Sequence, residues 1–267
     1  MSPYVWRNPS GDFSMLFRVV DDQSASTGSL WFARGNGLTF ALEPKPILLP
    51  GPEDYDAKGC EDPTVVHVDD GCLVYYTGLN RKSVAQLLWA EGPDIHSLRK
   101  RGVAHASTAS ERNTKEATVE RSGGDWILLF EYGHDGHSRI GRGEGKDPAG
   151  PWKETAAPLG LRRYNWDSWH LSTGPILIDQ TGGPIMFYNG ADTEAIWQIG
   201  WAQLDATLAG VIQRCHSPLV EAPKCAGSAG RKIAFAASVV GHDGQIWLYF
   251  THNDCSLRRA LVDLPLP

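Results

Sequence analysis

Cysteine is scarce in this chain of 267 residues: there are five, Cys60, Cys72, Cys215, Cys225 and Cys255. They are odd in number, widely spaced and without a Cys-x-x-Cys pair, which supports neither a disulfide framework nor a zinc knuckle. Reduced thiols and a cytoplasmic location are the expectation, with no metal and no cofactor. No apolar run approaches the ~18 residues of a membrane-spanning helix. The opening Met1-Ser2-Pro3-Tyr4-Val5-Trp6-Arg7 also lacks the apolar core of a signal peptide. A basic surplus is missing as well: 25 Lys and Arg stand against 31 Asp and Glu, for a net charge of −6. That disfavours a nucleic-acid partner, which needs a basic footprint to bind phosphates. Sustained helical periodicity is absent too, so a helical fold is not expected.

What the chain has in quantity is 29 Gly, 17 Pro and 10 Trp, the material of many turns and many flat aromatic surfaces. Apolar stretches are five to eight residues long, rich in Val, Ile, Tyr, Phe and Trp, and bounded by Gly, Asp and Pro, which is the pattern of strands and hairpins. Five of them share a shape: Met15-Leu16-Phe17-Arg18, Leu73-Val74-Tyr75-Tyr76-Thr77, Leu128-Leu129-Phe130-Glu131-Tyr132, Ile185-Met186-Phe187-Tyr188-Asn189 and Trp247-Leu248-Tyr249-Phe250-Thr251. With Thr77, Tyr132, Asn189 and Thr251 aligned, the steps are 55, 57 and 62 residues, and Arg18 lies 59 before Thr77. Four of the five follow a strand and a turn of one type, such as Asp69-Asp70-Gly71, Ser122-Gly123-Gly124, Asp179-Gln180-Thr181-Gly182 and Asp243-Gly244. A repeat of that length built from antiparallel strands predicts an all-β, five-bladed β-propeller, with residues 1–267 as one catalytic domain. The first unit has little sequence before Phe13. Its innermost strand is therefore expected to be short, around Arg7-Asn8-Pro9, or to be completed by the other terminus. A β-sandwich is the competing architecture.

In a propeller the innermost strands all start at one mouth of the central channel, so the residues just before them converge. This rule selects Asn8, Glu61-Asp62-Pro63, Lys115-Glu116, the stretch from Asp167 to Thr173, and Arg231-Lys232. Glycosidic bond cleavage uses two carboxyl groups across a concave site, one protonated and one ionised, and Asp62 and Glu116 suit those roles. The plain alternative for Asp62 is a turn residue before Pro, and for Glu116 an exposed strand opener. Trp166 and Trp169 offer stacking faces for sugar rings, although Trp is more often packing; Trp89 is assigned to packing. Arg81, Lys115 and His170 are candidates to bind an anion or sugar hydroxyls, and Lys82 is read as a solvated charge.

These blade starts resemble glycoside hydrolase family 130, the β-mannoside phosphorylases and β-mannosidases, within a wider group of five-bladed propellers that includes family 43. The likeness rests on Phe17-Arg18-Val19-Val20-Asp21-Asp22, Gly59-Cys60-Glu61-Asp62-Pro63-Thr64, Tyr76-Thr77, and Trp166-Asp167-Ser168-Trp169-His170-Leu171-Ser172-Thr173-Gly174-Pro175-Ile176 followed by Phe187-Tyr188-Asn189-Gly190. It implies an inverting attack at the anomeric carbon of a mannoside, with Asp62 delivering the proton through a sugar hydroxyl and either water or inorganic phosphate as nucleophile. It also implies that Asn8, Arg18, Glu61, Arg81, Lys115, Asp167, His170 and Asp254 position sugar or leaving group, with Arg81 and Lys115 matching phosphate ligands in the phosphorylases. Thr64 departs from the family's Arg, and the chain is short for the family. The stretch Lys115-Glu116-Ala117-Thr118-Val119 looks more like family 43, in which reading Glu116 becomes the acid and the substrate a furanoside or xyloside. The leading expectation is a glycoside hydrolase that cleaves a β-linked mannoside by single displacement, with Asp62 as acid and Glu116 as base. The alternatives are an inverting β-mannoside phosphorylase using inorganic phosphate, a family 43-like furanosidase or xylosidase, and a non-catalytic sugar-binding propeller. The partner is in each case an oligosaccharide or glycoside, with inorganic phosphate added for the phosphorylase.

Overall fold

The computed structural model describes residues 2–21, 26–178, 183–225 and 230–263; Met1, Asp22 and the expected turn Asp179-Gln180-Thr181-Gly182 lie outside them. Five antiparallel sheets follow one another along the chain, forming a five-bladed β-propeller, and the described residues contain no α-helix. Blade 1 is β1 (Tyr4–Arg7), β2 (Phe13–Val19), β3 (Ser29–Gly35) and β4 (Phe40–Leu48). Blade 2 is β5 (Gly59–Val68), β6 (Gly71–Leu79), β7 (Ala85–Gly92) and β8 (Arg99–His105). Blade 3 is β9 (Arg112–Ser122), β10 (Asp125–His134), β11 (His137–Gly145) and β12 (Lys153–Thr155). Blade 4 has its inner strand split into β13 (His170–Ser172) and β14 (Ile176–Leu177), both paired to β15 (Ile185–Ala191), then β16 (Trp197–Leu204) and β17 (Val211–Arg214). Blade 5 is β18 (Ala234–His242), β19 (Gln245–His252) and β20 (Ser256–Val262).

The second strand of each blade is a near-continuous apolar run because it is covered on both faces. Successive side chains of a strand point to opposite faces, so Tyr76 packs with Leu16 and Leu30 of blade 1 while its neighbour Tyr75 packs with Val119 and Leu128 of blade 3. The core is thus a set of wedges between blades. The wedge between blades 1 and 5 holds Val5, Phe13, Val240 and Tyr249, and a larger one joins blades 3, 4 and 5 through Leu129, Phe187, Trp201 and Leu248.

Polar links between inner strands complete the ring. Thr64 Oγ1 donates to Ala117 O at 2.6 Å, and Thr118 Oγ1 donates to Gly174 O at 2.8 Å. Asn189, fully buried, donates to Thr173 O at 2.9 Å and accepts from the Ala236 amide at 2.7 Å. The ring closes where the Val5 amide donates to Ser238 Oγ at 2.9 Å and that hydroxyl donates to Pro3 O.

The innermost strand of blade 1 is therefore Tyr4–Arg7, earlier than the expected Arg7-Asn8-Pro9, and the blade is complete from its own contiguous strands. Asn8 lies past the end of β1, in the turn to β2, where its amide donates to Asp12 O at 2.8 Å and its side chain reaches Asp12 and Ser14. A one-strand error of this kind arises because Tyr4-Val5-Trp6 is too short to show a period of its own.

Asn189 is the link most exposed to test. Asn189→Ala leaves the Ala236 amide and the Thr173 carbonyl without their partner in a buried wedge, and is expected to lower unfolding free energy by about 2–3 kcal/mol, read as a lower denaturation midpoint at unchanged slope.

Candidate active site

The two carboxylates selected from the sequence sit on matching irregularities. In blade 2 the register runs Glu61 opposite Thr77, then Thr64 opposite Tyr75, so Asp62 and Pro63 together face Tyr76. In blade 3 Lys115 faces Glu131 and Ala117 faces Phe130, leaving Glu116 as the extra residue. These are β-bulges, which bend a strand and re-aim its side chains. Asp62 has φ +49° and Glu116 φ +47°, a left-handed conformation that costs a non-glycine residue about 1–2 kcal/mol. Strain held at equivalent points of two blades, both carrying a carboxyl group, marks a functional site.

Around them the blades contribute a ring of charge: Arg18 from β2, Glu61 and Asp62 from β5, Lys115 and Glu116 from β9, Glu131 from β10 and Asp254 from the β19–β20 turn. With Ser2, Trp197 and Arg231, they line a cavity of about 280 Å³. Arg18 Nη1 lies 2.8 Å from Glu61 Oε2, and Lys115 Nζ lies 3.2 Å from Glu131 Oε1. Ser2 Oγ donates to Asp62 Oδ1 at 2.5 Å, and the Glu116 amide donates to Thr77 Oγ1 at 3.2 Å. Arg18 Nε and Glu131 Oε2 are buried without a protein partner among the described residues.

This arrangement separates the two carboxyl groups in acidity. Burial opposes charge on Asp62, but Arg18, Lys115 and the Ser2 hydroxyl outweigh it and hold Asp62 below the usual carboxylate range. Glu116 is pushed well above that range by burial and by Asp62, against the pull of Lys115. Glu61 is raised by burial and Asp62, with Arg18 opposing. Burial also works against the charge on Lys115, yet Glu131, Glu116 and Asp62 raise its pKa overall. These directions favour the proton on Glu116 and the negative charge on Asp62, whereas an Asp62 acid with a Glu116 base needs the reverse order.

The structure brings Arg18, Glu61, Asp62, Lys115, Glu116 and Asp254 together and places the other expected residues elsewhere. Asn8 is at the far end of β1. Arg81 sits on the β6–β7 turn, 71% exposed, and reaches outward to Asp54 at 3.0 Å. Asp167 is 0% exposed and locked by Arg162 at 2.8 Å, Arg214 at 2.5 Å and the Tyr188 hydroxyl at 2.8 Å. It fastens the segment before β13 onto blade 4 instead of facing the cavity. His170 stands at the edge, stacked on Trp197 with centroids 5.6 Å apart and its Nδ1 accepting from the Ser138 amide at 2.9 Å.

Trp166 stacks on Tyr188, and Trp89 packs against the wedge between blades 2 and 3. Thr64, standing where the family has Arg, spends its hydroxyl on the inter-blade link to Ala117. The sequence reading passed over Glu131, although a charged residue inside the run Leu128-Leu129-Phe130-Glu131 is the signal that could have found it. Among the described residues one group could hold a metal ion: His105, Glu111 and Glu154, whose ligating atoms lie within 4.8 Å of one another at the outer edges of blades 2 and 3, away from this cavity.

A family model described as β-1,4-mannooligosaccharide phosphorylase, that of glycoside hydrolase family 130, matches residues 11–257. The chain belongs to glycoside hydrolase family 130. Among solved structures it is similar to a β-1,2-mannobiose phosphorylase from Listeria innocua in complex with β-1,2-mannobiose (TM-score 0.80, 19% identity, covering 96% of this chain and 86% of that one). It is equally similar to a structure reported with the finding that the family's mannoside phosphorylases include hydrolases targeting β-1,2-mannosidic linkages in Candida mannan (TM-score 0.82, 19% identity, covering 100% and 84%). A thermostable family 43 glycoside hydrolase shares the fold at a TM-score of 0.62, with 19% identity over 78% of this chain and 70% of that one. No curated protein matches the sequence. As a family 130 member the protein is a mannoside-acting glycoside phosphorylase or hydrolase.

Below the mouth of this family 130 site the inner strands enclose a narrow channel of about 80 Å³ that runs from Glu116 to Glu120. Burial pushes Glu120 up to about 7. Below the ordinary carboxyl range folded and unfolded chains both keep this proton. As pH rises towards 7 only the unfolded chain releases it readily, so folding loses stability. Glu120→Gln should therefore raise the melting temperature at pH 8 while changing it little at pH 4; an equal gain at both values would contradict a buried, titrating Glu120.

Proposed function

We propose that this enzyme is a hydrolase of a β-linked mannoside, acting by single displacement with Asp62 and Glu116 as its carboxyl pair. The observation that carries the reading is the charge balance of the cavity. Five carboxyl groups, Glu61, Asp62, Glu116, Glu131 and Asp254, stand against Arg18, Lys115 and Arg231. Arg18 and Lys115 are each already engaged by a carboxylate. An incoming phosphate dianion would have to displace those carboxylates or sit beside them, whereas a neutral water incurs no such repulsion. Arg81, which the phosphorylase reading needs, faces outward to Asp54.

In the resting protein the proton lies on Glu116 and the negative charge on Asp62. Glu116 then donates its proton to the glycosidic oxygen as the bond from that oxygen to the anomeric carbon breaks. Asp62 takes a proton from the water whose oxygen forms the new bond, and exchange with solvent restores both groups. The negative Asp62 and Glu61 also favour the positive charge that develops on the sugar ring. A second reading keeps Asp62 as donor through a sugar hydroxyl; its support is the Glu61-Asp62-Pro63 motif, and it requires the proton shared by the two coupled groups to move to Asp62 once sugar is bound.

Substrates with different leaving groups separate the two roles. Glu116→Gln should lose ~100-fold or more on a mannobiose, the usual worth of general acid catalysis, and much less on an aryl β-mannoside whose leaving group needs no proton, while Asp62→Asn loses both activities. The reverse pattern would make Asp62 the donor. The kcat/KM profile of the wild-type enzyme should fall on the acid side as Asp62 gains its proton and on the basic side as Glu116 loses its own.

The nucleophile is tested by product analysis in phosphate-free buffer. Free mannose at a rate unaffected by added phosphate is the expected result. Mannose 1-phosphate formed only with phosphate would replace hydrolysis by phosphorolysis, and release of pentoses alone would favour the furanosidase or xylosidase reading.

A further inference from the structure

The cluster of His105, Glu111 and Glu154 is assembled from separate parts of the ring. His105 ends β8 of blade 2, Glu111 stands just before β9, and Glu154 lies on β12, the outer strand of blade 3. Each side chain is aimed by its surroundings. The His105 ring lies with its centroid 4.1 Å from that of Phe130, which packs in the wedge between blades 2 and 3. Glu111 is held by a turn in which its amide donates to Thr108 Oγ1 at 3.0 Å and its carbonyl accepts from the Thr108 amide at 2.8 Å. Glu154 stands opposite Gly143, and Phe130 stands opposite Gly141. Residues two apart on a strand share a face, so Glu154 lies on the face that Phe130 turns to blade 2.

The distances fit a shared cation better than hydrogen bonds. His105 Nε2 is 3.4 Å from Glu111 Oε2 and 3.5 Å from Glu154 Oε1. Both exceed the ordinary N–H···O range of about 2.7–3.2 Å, and Nε2 of a neutral ring has one hydrogen at most to offer two oxygens. Two ligands bound at about 2.0–2.2 Å to a tetrahedral cation stand about 3.3–3.6 Å apart, the separation seen on both sides of Nε2. Among the described residues neither carboxylate is ion-paired to a Lys or Arg, so two like charges face one space with the imidazole between them. Tyr132 borders the same space: burial and Glu111 push its phenol up, Arg139 opposes, and Glu154 adds to the rise. One imidazole with two carboxylates suits Zn²⁺ or a similar first-row divalent cation, whereas Mg²⁺ and Ca²⁺ take all-oxygen sets.

We propose that His105, Glu111 and Glu154 form a site for a zinc-type divalent cation that fastens the outer edge of blade 2 to that of blade 3, with water completing the coordination. The site also steadies the strand that carries the catalytic bulge. The His105 carbonyl accepts from Thr114 Oγ1 at 2.9 Å, and that oxygen accepts from the Leu87 amide at 3.2 Å. Thr114, fully buried, directly precedes Lys115 and Glu116. The inference is independent of whether water or phosphate attacks the substrate.

The test titrates chelator-treated protein, free of any polyhistidine tag, with Zn²⁺, Mg²⁺ or Ca²⁺ alone. Calorimetry and thermal unfolding are read for the wild type, Glu111→Gln and Glu154→Gln. Zn²⁺ should bind and raise the melting temperature as its concentration increases, and each variant should weaken that binding by about tenfold or more. Both variants keep side-chain size and leave the His105–Phe130 packing in place, so their metal-free melting temperatures serve as the check on folding. Absence of Zn²⁺ binding, Zn²⁺ affinity unchanged in either variant, or an equal response to Mg²⁺ or Ca²⁺ would overturn the site.

Discussion

Burial of the second strand of each blade on both faces is the constraint from which the remaining geometry follows. Once Tyr75 faces one neighbour and Tyr76 the other, blade 2 can be neither slid nor flipped without exposing one wedge, because a one-residue slip would exchange every side chain between faces. The inner strands are then held at fixed spacing by Thr64, Thr118, Asn189 and Ser238. Their starting ends meet at one mouth. Charged residues at those ends are forced into proximity by packing elsewhere, and the cost of crowding them is met by hydrophobic burial distributed over the whole ring.

The crowding is itself ordered. Arg18 with Glu61 and Lys115 with Glu131 form two pairs flanking the Asp62–Glu116 couple, so each cation is shared between its ion-pair partner and that couple. Removing a cation from either pair would leave buried carboxylates uncompensated, which is far more costly than the pair is worth in itself. Sharing of the cations also explains why the acidities of Asp62 and Glu116 diverge: the cations hold one group below the usual range, and burial beside that anion pushes the other above it.

Much of this was legible in the chain. The repeat of 55 to 62 residues is visible because the same burial on both faces recurs five times, and the placement of Asp62, Lys115 and Glu116 followed from topology alone. Spacing placed one level wrongly by a residue. Counting set Tyr132 level with Thr77 and Asn189, whereas the buried polar residue at that level in blade 3 is Glu131, which faces Lys115 just before the Glu116 bulge as Thr77 faces Glu61 just before the Asp62 bulge. Asp167 was misplaced for a different reason. It precedes an inner strand, as the rule demands, but Arg162 and Arg214 approach from outside and draw it into the wall.

Local pattern by itself determined the blades, their number and the class of chemistry, since alternation, turn residues and the positions of carboxyl groups are properties of neighbours in sequence. Tertiary structure alone decided in which directions the acidities of Asp62 and Glu116 are pushed and which carboxyl groups the cations face. Those depend on groups from different blades, such as Arg18 with Glu61 and Asp254, whose distances are set only when the ring closes through Val5 and Ser238.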